Sequence, residues 1–404
     1  MPSMKPPLRT IQLLELHSKS PAYFVLLAAL LLTIGAAACS VLAMEHAGHV
    51  VTGMDNQIVW GLPHVFAVFL VVSASGALNV ASMASVFGKT EFKPLAPLSG
   101  LLAMCLLLGG LMILLLDLGR PDRLLVAITH FNFKSIFAWN IFLYSGFIGL
   151  IIAYLWTQME HGVSRYTPMA GLFAFVWRMA LTTGTGSIFG FLVARQSFDS
   201  ALFAPLFIAL SLSYGLAIFV LVLLLASSHA GRPVGDDLLE RFARLQLIFI
   251  ACGLYFVVVY HMTNLYFSKH IPFERFILID GGMFTKMFWL GQIALGSVLP
   301  MALLLMPGLA SLRARVVLSA SLVIAGGLAQ MYVTIVGGQA YGLVLFPGHE
   351  VSSSFFDGVN HDYSPSSLEW MLGLGGVAAA ALLTLLGLRL FGFLPDKLDD
   401  QVGH

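Results

Sequence analysis

The chain has 404 residues, of which 58% are hydrophobic and 10% are charged, and its mean hydropathy is +0.90. A soluble domain carries about 25% charged residues, so this composition excludes a soluble enzyme and indicates a membrane protein with many spans. The formal net charge of +1, without a basic run or an RNA-binding aromatic motif, excludes nucleic acid as a partner. The lipid bilayer is the first partner that the sequence predicts.

Ten apolar segments are each long enough to cross a bilayer as a helix. They predict an all-α polytopic membrane protein that forms a single integral membrane domain over residues 1–404. The even number of spans places both termini on the same side of the membrane. In chain order the predicted spans are 21–43, 58–87, 95–117, 134–157, 168–194, 201–226, 242–262, 284–306, 314–337 and 368–393.

The distribution of Lys and Arg predicts which side holds the termini. That side carries thirteen Lys and Arg residues, and the opposite side carries seven. Because loops rich in Lys and Arg stay in the cytoplasm, we expect a multi-pass protein of the cytoplasmic (inner) membrane with both termini in the cytoplasm. The opposite side is then the outer, periplasmic side.

The third predicted span ends in the segment 117–123, which has four charged residues in seven positions. Asp117 lies at the end of a helix, where the macrodipole disfavours an anion, so we expect it to pair with Arg120 or Arg123. An ionisable cluster at the membrane edge indicates a functional site. The alternative interpretation is a topological anchor made of surface ion pairs.

Several polar side chains are predicted to lie at a similar depth, close to the outer surface. His64 lies inside the outer end of the second span, Asp117 ends the third span, and Tyr260 and His261 end the seventh. A quinone requires an apolar, aromatic slot, hydrogen-bond donors for its carbonyls, and a base near water. We therefore predict a site that binds quinone or menaquinone as substrate, with His64 and Asp117 as its catalytic residues. Its candidate binding residues are Trp60, His64, Asp117, Arg120, Tyr260 and His261.

A second polar set lies deeper in the predicted membrane domain. Ser75 and Asn79 recur at helical spacing in the second span, and Arg178 lies near the middle of the fifth. An Arg in a bilayer faces the protein interior and needs partners there. This set predicts either a hydrated polar path towards the cytoplasm or a hydrogen-bonded network that packs the helices.

Cofactor ligands are scarce in the sequence. The three cysteines, Cys39, Cys105 and Cys252, lie in apolar runs at unrelated spacings, so we predict no iron–sulfur cluster, metal site or disulfide. Haem b in a helical bundle needs two histidines on facing helices, and His64 and His261 are the only two histidines inside the predicted spans. A haem b membrane anchor therefore stays an alternative.

A transporter or ion-translocating module is the other alternative. Such proteins have helices broken at the membrane midplane, and the segment Gly184, Thr185 and Gly186 in the fifth span is the one indication of a break. In that case Arg178 would serve as a counter-ion for the substrate.

These features resemble the NrfD/PsrC family of quinone-interacting membrane subunits. The resemblance covers nearly the whole chain and rests on the ten-span plan, on Asp117 to Pro121 closing the third span, and on Asn132 to Ser135 opening the fourth. The stretches 52–64 and 133–140 resemble more specifically the DsrP group of that family, membrane subunits of DsrMKJOP complexes in sulfur metabolism.

The resemblance implies an architecture and a set of partners. The expected architecture is two four-helix bundles, 58–194 and 201–337, flanked by the first and last spans, 21–43 and 368–393. The chain itself is expected to hold neither haem nor an iron–sulfur cluster. Electrons would pass between the (mena)quinone pool and a periplasmic ferredoxin-like iron–sulfur subunit. In a DsrMKJOP complex a multihaem cytochrome c and further membrane and cytoplasmic redox subunits would also be partners.

Overall fold

The computed structural model describes residues 12–16, 20–306, 308–343, 359–396 and 398. These residues are mostly helical with almost no sheet, which confirms the predicted all-α polytopic fold. The helices are α1 (Pro21–Ala47), α2 (Leu62–Ala77), α3 (Asn79–Ser85), α4 (Ala96–Leu116), α5 (Leu124–Thr129), α6 (Ile136–Met159), α7 (Thr167–Gly190), α8 (Phe203–His229), α9 (Asp236–Tyr266), α10 (Ile271–Arg275), α11 (Met283–Lys286), α12 (Leu299–Leu305), α13 (Leu312–Tyr332), α14 (Gly338–Ala340) and α15 (Ser367–Leu390).

Nine helical segments of the described residues are long and apolar enough to cross a membrane. The remaining predicted span corresponds to α7, which has 24 residues. It is less apolar than the others because it contains Arg178 and a run of Thr and Gly residues. Arg178 and Thr182 on this helix are buried, so these two polar side chains face the protein interior and not lipid.

Three spans depart from regular α-helix. The second span is interrupted between α2 and α3, at Leu78. The eighth span consists of α11, a π-helical segment at Met287–Val298, and α12. A second π-helical segment, Val333–Gly337, joins α13 to α14. π-Helical turns are rare and often lie at functional sites, and both of these segments belong to the second half of the chain.

α2 is the central helix of the packing. It is buried along its length and contacts α4, α8, α13 and α15. The crossing of α2 and α8 is close because glycines face each other there: a Cβ atom on Gly76 would overlap the backbone of Ser211, and one on Gly215 would overlap Gly76. Small residues at such crossings let helix backbones approach in a bilayer.

The N-terminal and C-terminal segments meet at one end of the helical body. Strand β1 (Leu13–Leu14) pairs antiparallel with β2 (Leu394–Pro395), and Leu14 lies opposite Leu394. We call this the terminal end, and we call the opposite end, where α2 begins and α4 ends, the site end. α1 packs along α15 between these ends. The division of the other spans into two four-helix bundles stays a prediction.

Candidate functional site

Two helix termini bring His64 and Asp117 together at the site end. His64 lies in the first turn of α2, which begins at Leu62 with Pro63 in its first turn, a position where proline removes no helical hydrogen bond. Asp117 is the C-cap of α4, and its backbone N–H donates to Ile113 O at 2.9 Å. The two helices pack against each other, so two residues 53 positions apart in sequence become neighbours.

The carboxylate of Asp117 is buried beside two imidazoles. Its Oδ2 lies 2.9 Å from His64 Nδ1, and its side chain is 1% exposed. The N–H direction is not that of a well-aligned hydrogen bond, so we interpret this contact as a close electrostatic pair. His49 Nε2 lies 3.1 Å from the backbone oxygen of Asp117 and 4.0 Å from its Oδ1. A buried carboxylate with few hydrogen bonds is costly, and such a group is suited to exchanging a proton.

The predicted pairing of Asp117 with Arg120 is wrong. Arg120 lies on the surface and pairs with Asp122, with its Nε 3.2 Å from Asp122 Oδ1, and this hydrogen bond lowers the pKa of Asp122. No ion pair joins Asp117 to Arg120 or Arg123 within the described parts of the chain. The physical reason is local: the turn Pro121–Arg123 carries the guanidinium of Arg120 outwards to a nearer carboxylate.

A cavity of about 500 Å³ opens beside His64, between α2, α4, α6 and α7. Its walls are mostly leucine, isoleucine and aromatic side chains, and its polar groups include His64, Asn140, Tyr144 and Thr185. The volume and the mainly apolar lining with a few polar groups are typical of pockets for small organic ligands. Asn140 donates to Gly184 O at 3.1 Å, while its buried Oδ1 has no protein partner among the described residues. A ligand in the cavity would find an acceptor there.

Trp60 forms the aromatic end of this cavity. Its ring is stacked with the His64 ring at a centroid distance of 6.2 Å, and Phe189 meets it edge-on at 5.8 Å. Phe137 lies 6.0 Å from it. Trp60 and Asp117 thus each contact His64, in a setting that suits a flat, partly aromatic ligand.

The loop that carries Trp60 is held by residues that sequence analysis did not single out. Gln57 donates through Nε2 to Gln339 O at 3.1 Å and to Val359 O at 3.0 Å. Arg195 donates to Gln57 O at 2.7 Å and to Gln339 O at 3.1 Å. These partners lie more than 130 positions away from Gln57 in sequence, so no local pattern indicates them.

A second hydrogen-bond network holds the start of α2. The N–H of Leu62 donates to Tyr363 Oη at 2.7 Å, and Tyr363 in turn donates to the buried carboxylate of Glu369. Glu369 also accepts from Gly53 N at 2.7 Å and from Ser366 N at 2.7 Å. Burial and the neighbouring Glu369 raise the pKa of Tyr363, so its phenol stays protonated and keeps donating. The signal in the sequence was the capping pattern of Ser366 and Glu369 at the start of α15.

Tyr260 and His261 do not belong to the cavity of His64. They line a separate small cavity with Gln292 and Gln330, where His261 Nδ1 lies 2.6 Å from Glu274 Oε2. The sequence grouped them by predicted depth, and a single sequence does not give the direction in which each helix faces. The haem alternative needed His64 and His261 to face each other, and each of them instead pairs with its own carboxylate.

The deeper polar set does come together. Arg178 donates to Ser75 O at 3.3 Å and to Asn79 Oδ1 at 3.1 Å, and Thr182 donates to Ser75 Oγ at 2.6 Å. These bonds connect protein groups directly, as in a packing network. α7 is continuous through Gly184 and Gly186, so the break expected for the transporter alternative is not present there.

Fold and site together define a multi-pass helical membrane protein with an aromatic cavity and a buried carboxylate–imidazole pair at one end. The sequence matches the family described as "Polysulphide reductase, NrfD" over residues 50–342. The chain belongs to this family, which confirms the resemblance at family level.

Three relatives show the range of this similarity. The Hdr-like menaquinol oxidoreductase integral membrane subunit of Archaeoglobus fulgidus is 27% identical over 360 residues, 87% of this chain and 89% of the relative. A putative membrane subunit of the dimethyl sulfoxide reductase of Halobacterium salinarum is 27% identical over 395 residues, covering 89% of both proteins. One of the chains of the polysulfide reductase of Wolinella succinogenes is 24% identical over 314 residues, 71% of this chain and 96% of the relative.

Proposed function

We propose that this protein is the quinone-reactive membrane subunit of a respiratory or sulfur-metabolism oxidoreductase complex. The observation that carries the proposal is the buried Asp117–His64 pair at the edge of an aromatic cavity of about 500 Å³. The relatives support it, because their names include a menaquinol oxidoreductase subunit and parts of two reductases. Menaquinone is therefore the substrate that we favour.

The chemistry follows from the positions of the side chains. A quinol bound in the cavity loses two electrons and two protons and becomes quinone. A carboxylate beside Nδ1 favours the tautomer of His64 with the proton on Nδ1, so Nε2 is available to accept a hydrogen bond from a quinol hydroxyl. His64 accepts one quinol proton at Nε2 and, after a small rotation of its ring, passes its Nδ1 proton to Asp117 Oδ2, which lies 2.9 Å away. Once Asp117 has released that proton and His64 has regained its first tautomer, the second quinol proton follows the same route, and the two electrons pass to the partner subunit. Quinone reduction uses the same steps in reverse.

His49 provides the next step for the proton. Its side chain is 34% exposed while that of Asp117 is 1% exposed. Since the carbonyl oxygen of Asp117 only accepts hydrogen bonds, the close Nε2 of His49 carries a proton. His49 thus lies between the buried carboxylate and the solvent, and we assign it the role of exchanging protons with water.

Electrons need a separate acceptor. We propose that a periplasmic ferredoxin-like iron–sulfur subunit docks on the site end. In this arrangement the protein lies in the inner membrane, its site end faces the periplasm, and both termini lie in the cytoplasm. The DsrP-like stretches 52–64 and 133–140 lie at the site end and favour a sulfur-metabolism complex with a multihaem cytochrome c and further redox subunits. The isolated subunit should bind quinone without sustained turnover and should show no stoichiometric haem Soret band.

The test uses variants of the site in the intact complex. Asp117→Asn and His64→Ala should each lower the rate of quinol-dependent electron transfer by about 100-fold, as expected when an acid–base group is lost. Asp122 is a surface carboxylate five positions away from Asp117. Asp122→Asn is therefore the matched control and should keep the wild-type rate. Wild-type rates in both site variants would show that the assignment of the site is wrong.

A further inference from the structure

A second buried carboxylate–imidazole pair lies in the other half of the protein. Glu274 is 0% exposed and contacts His261 Nδ1 at 2.6 Å and Asn264 Nδ2 at 2.7 Å. The Oδ1 of Asn264 in turn lies 3.0 Å from His270 Nδ1. Quinone chemistry at His64 and Asp117 uses none of these groups.

A small cavity borders His261, and a second small cavity shares part of its wall. Each has a volume of about 20 Å³, and both have Gln292 and Gln330 in their walls. The first also has Tyr260 and His261 in its wall, and the second has Ser213. A cavity of about 10–15 Å³ by this measure already holds one water molecule, so each cavity has room for water and neither has room for a quinone ring.

Gln292 shows that the cavities need a polar occupant. The residue is 4% exposed, and neither its amide nitrogen nor its amide oxygen has a hydrogen-bond partner in the described part of the protein. An amide buried in that way is strongly unfavourable unless water satisfies it. Gln292 lies in the π-helical segment Met287–Val298, a kind of turn that is often found where a ligand approaches a helix.

The polar groups continue beyond the second cavity. Gln246 donates through Nε2 to Ser213 Oγ at 3.0 Å, and its own buried Oε1 has no partner among the described residues. Gln246 lies closer to the terminal end of α9 than His261 does. Of these two incompletely paired amides, Gln292 therefore lies in the cavity walls, and Gln246 lies nearer the terminal end.

We propose that the second half of this protein contains a hydrated proton-binding site. Water molecules in the two cavities bind the amides of Gln292 and Gln330 and connect the His261–Glu274 pair to Ser213 and Gln246. The ligands are water and the proton, and Glu274 with His261 is the group that holds the proton. This site is distinct from the quinone cavity and does not depend on it.

The titratable and charged side chains around Glu274 affect where a proton can bind. The titratable groups that face it are His261 and Tyr260 from α9 and, through Asn264, His270. His270 Nε2 lies 3.9 Å from Asp199 Oδ2. The nearby cations are already paired, Lys269 with Asp199 and Arg275 with Asp280. Within the described residues, the imidazoles that face Glu274 are thus His261 directly and His270 through Asn264.

Radiolytic hydroxyl labelling of the purified full-length protein tests the water. Hydroxyl radicals formed from bound water modify adjacent side chains even when these are buried. Tyr260 should be labelled about tenfold faster than Tyr154, a buried tyrosine that lines neither cavity. Gln292→Leu should remove that difference, whereas Ser319→Ala, a change at another buried polar residue, should preserve it. Equal labelling of Tyr260 and Tyr154 in the wild-type protein would overturn the proposal.

Infrared difference spectra between two pH values test the proton. The wild-type protein should show a carboxyl band that is lost in Glu274→Gln and retained in Asp117→Asn. Loss of the band in Asp117→Asn alone, or identical spectra for the wild type and Glu274→Gln, would show that Glu274 does not bind the proton. Neither measurement involves quinone, so its failure would leave the proposed quinone function intact, and failure of the quinone function would leave this result intact.

Discussion

Gln339 binds Trp60 with both ends of its side-chain amide. Its Oε1 accepts from Trp60 N at 3.0 Å, and its Nε2 donates to Trp60 O at 2.9 Å. Gln339 is 1% exposed and belongs to α14, while Trp60 precedes α2. A residue close to the end of the ninth span therefore fixes the backbone of the aromatic wall beside His64.

We expect Gln339→Leu to loosen this wall. The change leaves the partly buried N–H groups of Val59 and Trp60 without their acceptor, and the loss of each such hydrogen bond costs about 0.5–1.5 kcal/mol. The melting temperature should fall, and quinone affinity should weaken about tenfold, equal to about 1.4 kcal/mol of binding free energy. Gln158→Leu, at the far end of α6, is the control. Unchanged quinone affinity in Gln339→Leu would show that Gln339 does not hold the backbone of Trp60 in place for binding.

His49 and Arg120 give opposite predictions for the proton route. Replacement of His49 by Gln should slow quinol-dependent electron transfer by about tenfold or more, because proton exchange between Asp117 and water is lost, and added imidazole should restore part of the rate. Arg120→Ala should have little effect, since Arg120 pairs with Asp122 on the surface. His46→Gln, at an exposed histidine at the end of α1, is the matched control. Slow transfer in Arg120→Ala together with a normal rate in His49→Gln would reverse the assignment.

Much of this site is predictable from the sequence, and the predictions that are wrong share one physical cause. Apolar length locates a span and hence the depth of His64 and Asp117, and both residues do meet. Depth does not give direction around a helix axis, so the sequence assigns Tyr260 and His261 to the cavity of His64, whereas they line a different cavity. The sequence does not predict the roles of Gln57 and Gln339, because their contacts join loops about 280 positions apart. An uncharged Gln carries no local signal of such a contact.

Gly76 should be intolerant of even one methyl group. A Cβ atom there overlaps the backbone oxygen of Ser211, so α2 and α8 would have to separate. Overpacking of this kind typically costs about 1–3 kcal/mol, and Gly76→Ala should lower the midpoint of thermal unfolding in detergent. Gly35→Ala in α1, where nothing lies within 4 Å of the added Cβ, should leave it unchanged or raise it. Equal midpoints for the two variants would show that the α2–α8 crossing is looser than described.

The orientation in the membrane is open to direct labelling. In a variant with Cys39 and Cys252 changed to Ser, a cysteine introduced by Asp122→Cys should react with an impermeant maleimide added outside intact cells. A cysteine introduced by Ser164→Cys, in the exposed turn between α6 and α7, should react only after the cells are opened. The reverse pattern would place the site end in the cytoplasm and with it the docking side of the electron-transfer partner.

The pairing of α1 with α15 has a consequence for biogenesis. The ribosome completes α1 well before α15, so α1 enters the bilayer long before its partner exists. Until then its faces are covered by lipid, which its apolar sequence tolerates, since most of α1 stays exposed even in the finished protein. Only when α15 is inserted and β2 reaches β1 does the last helix close over the first. A protein that stops before α15 would therefore keep α1 in the membrane but leave it without its main contact, which gives quality-control proteases a means of recognising unfinished copies.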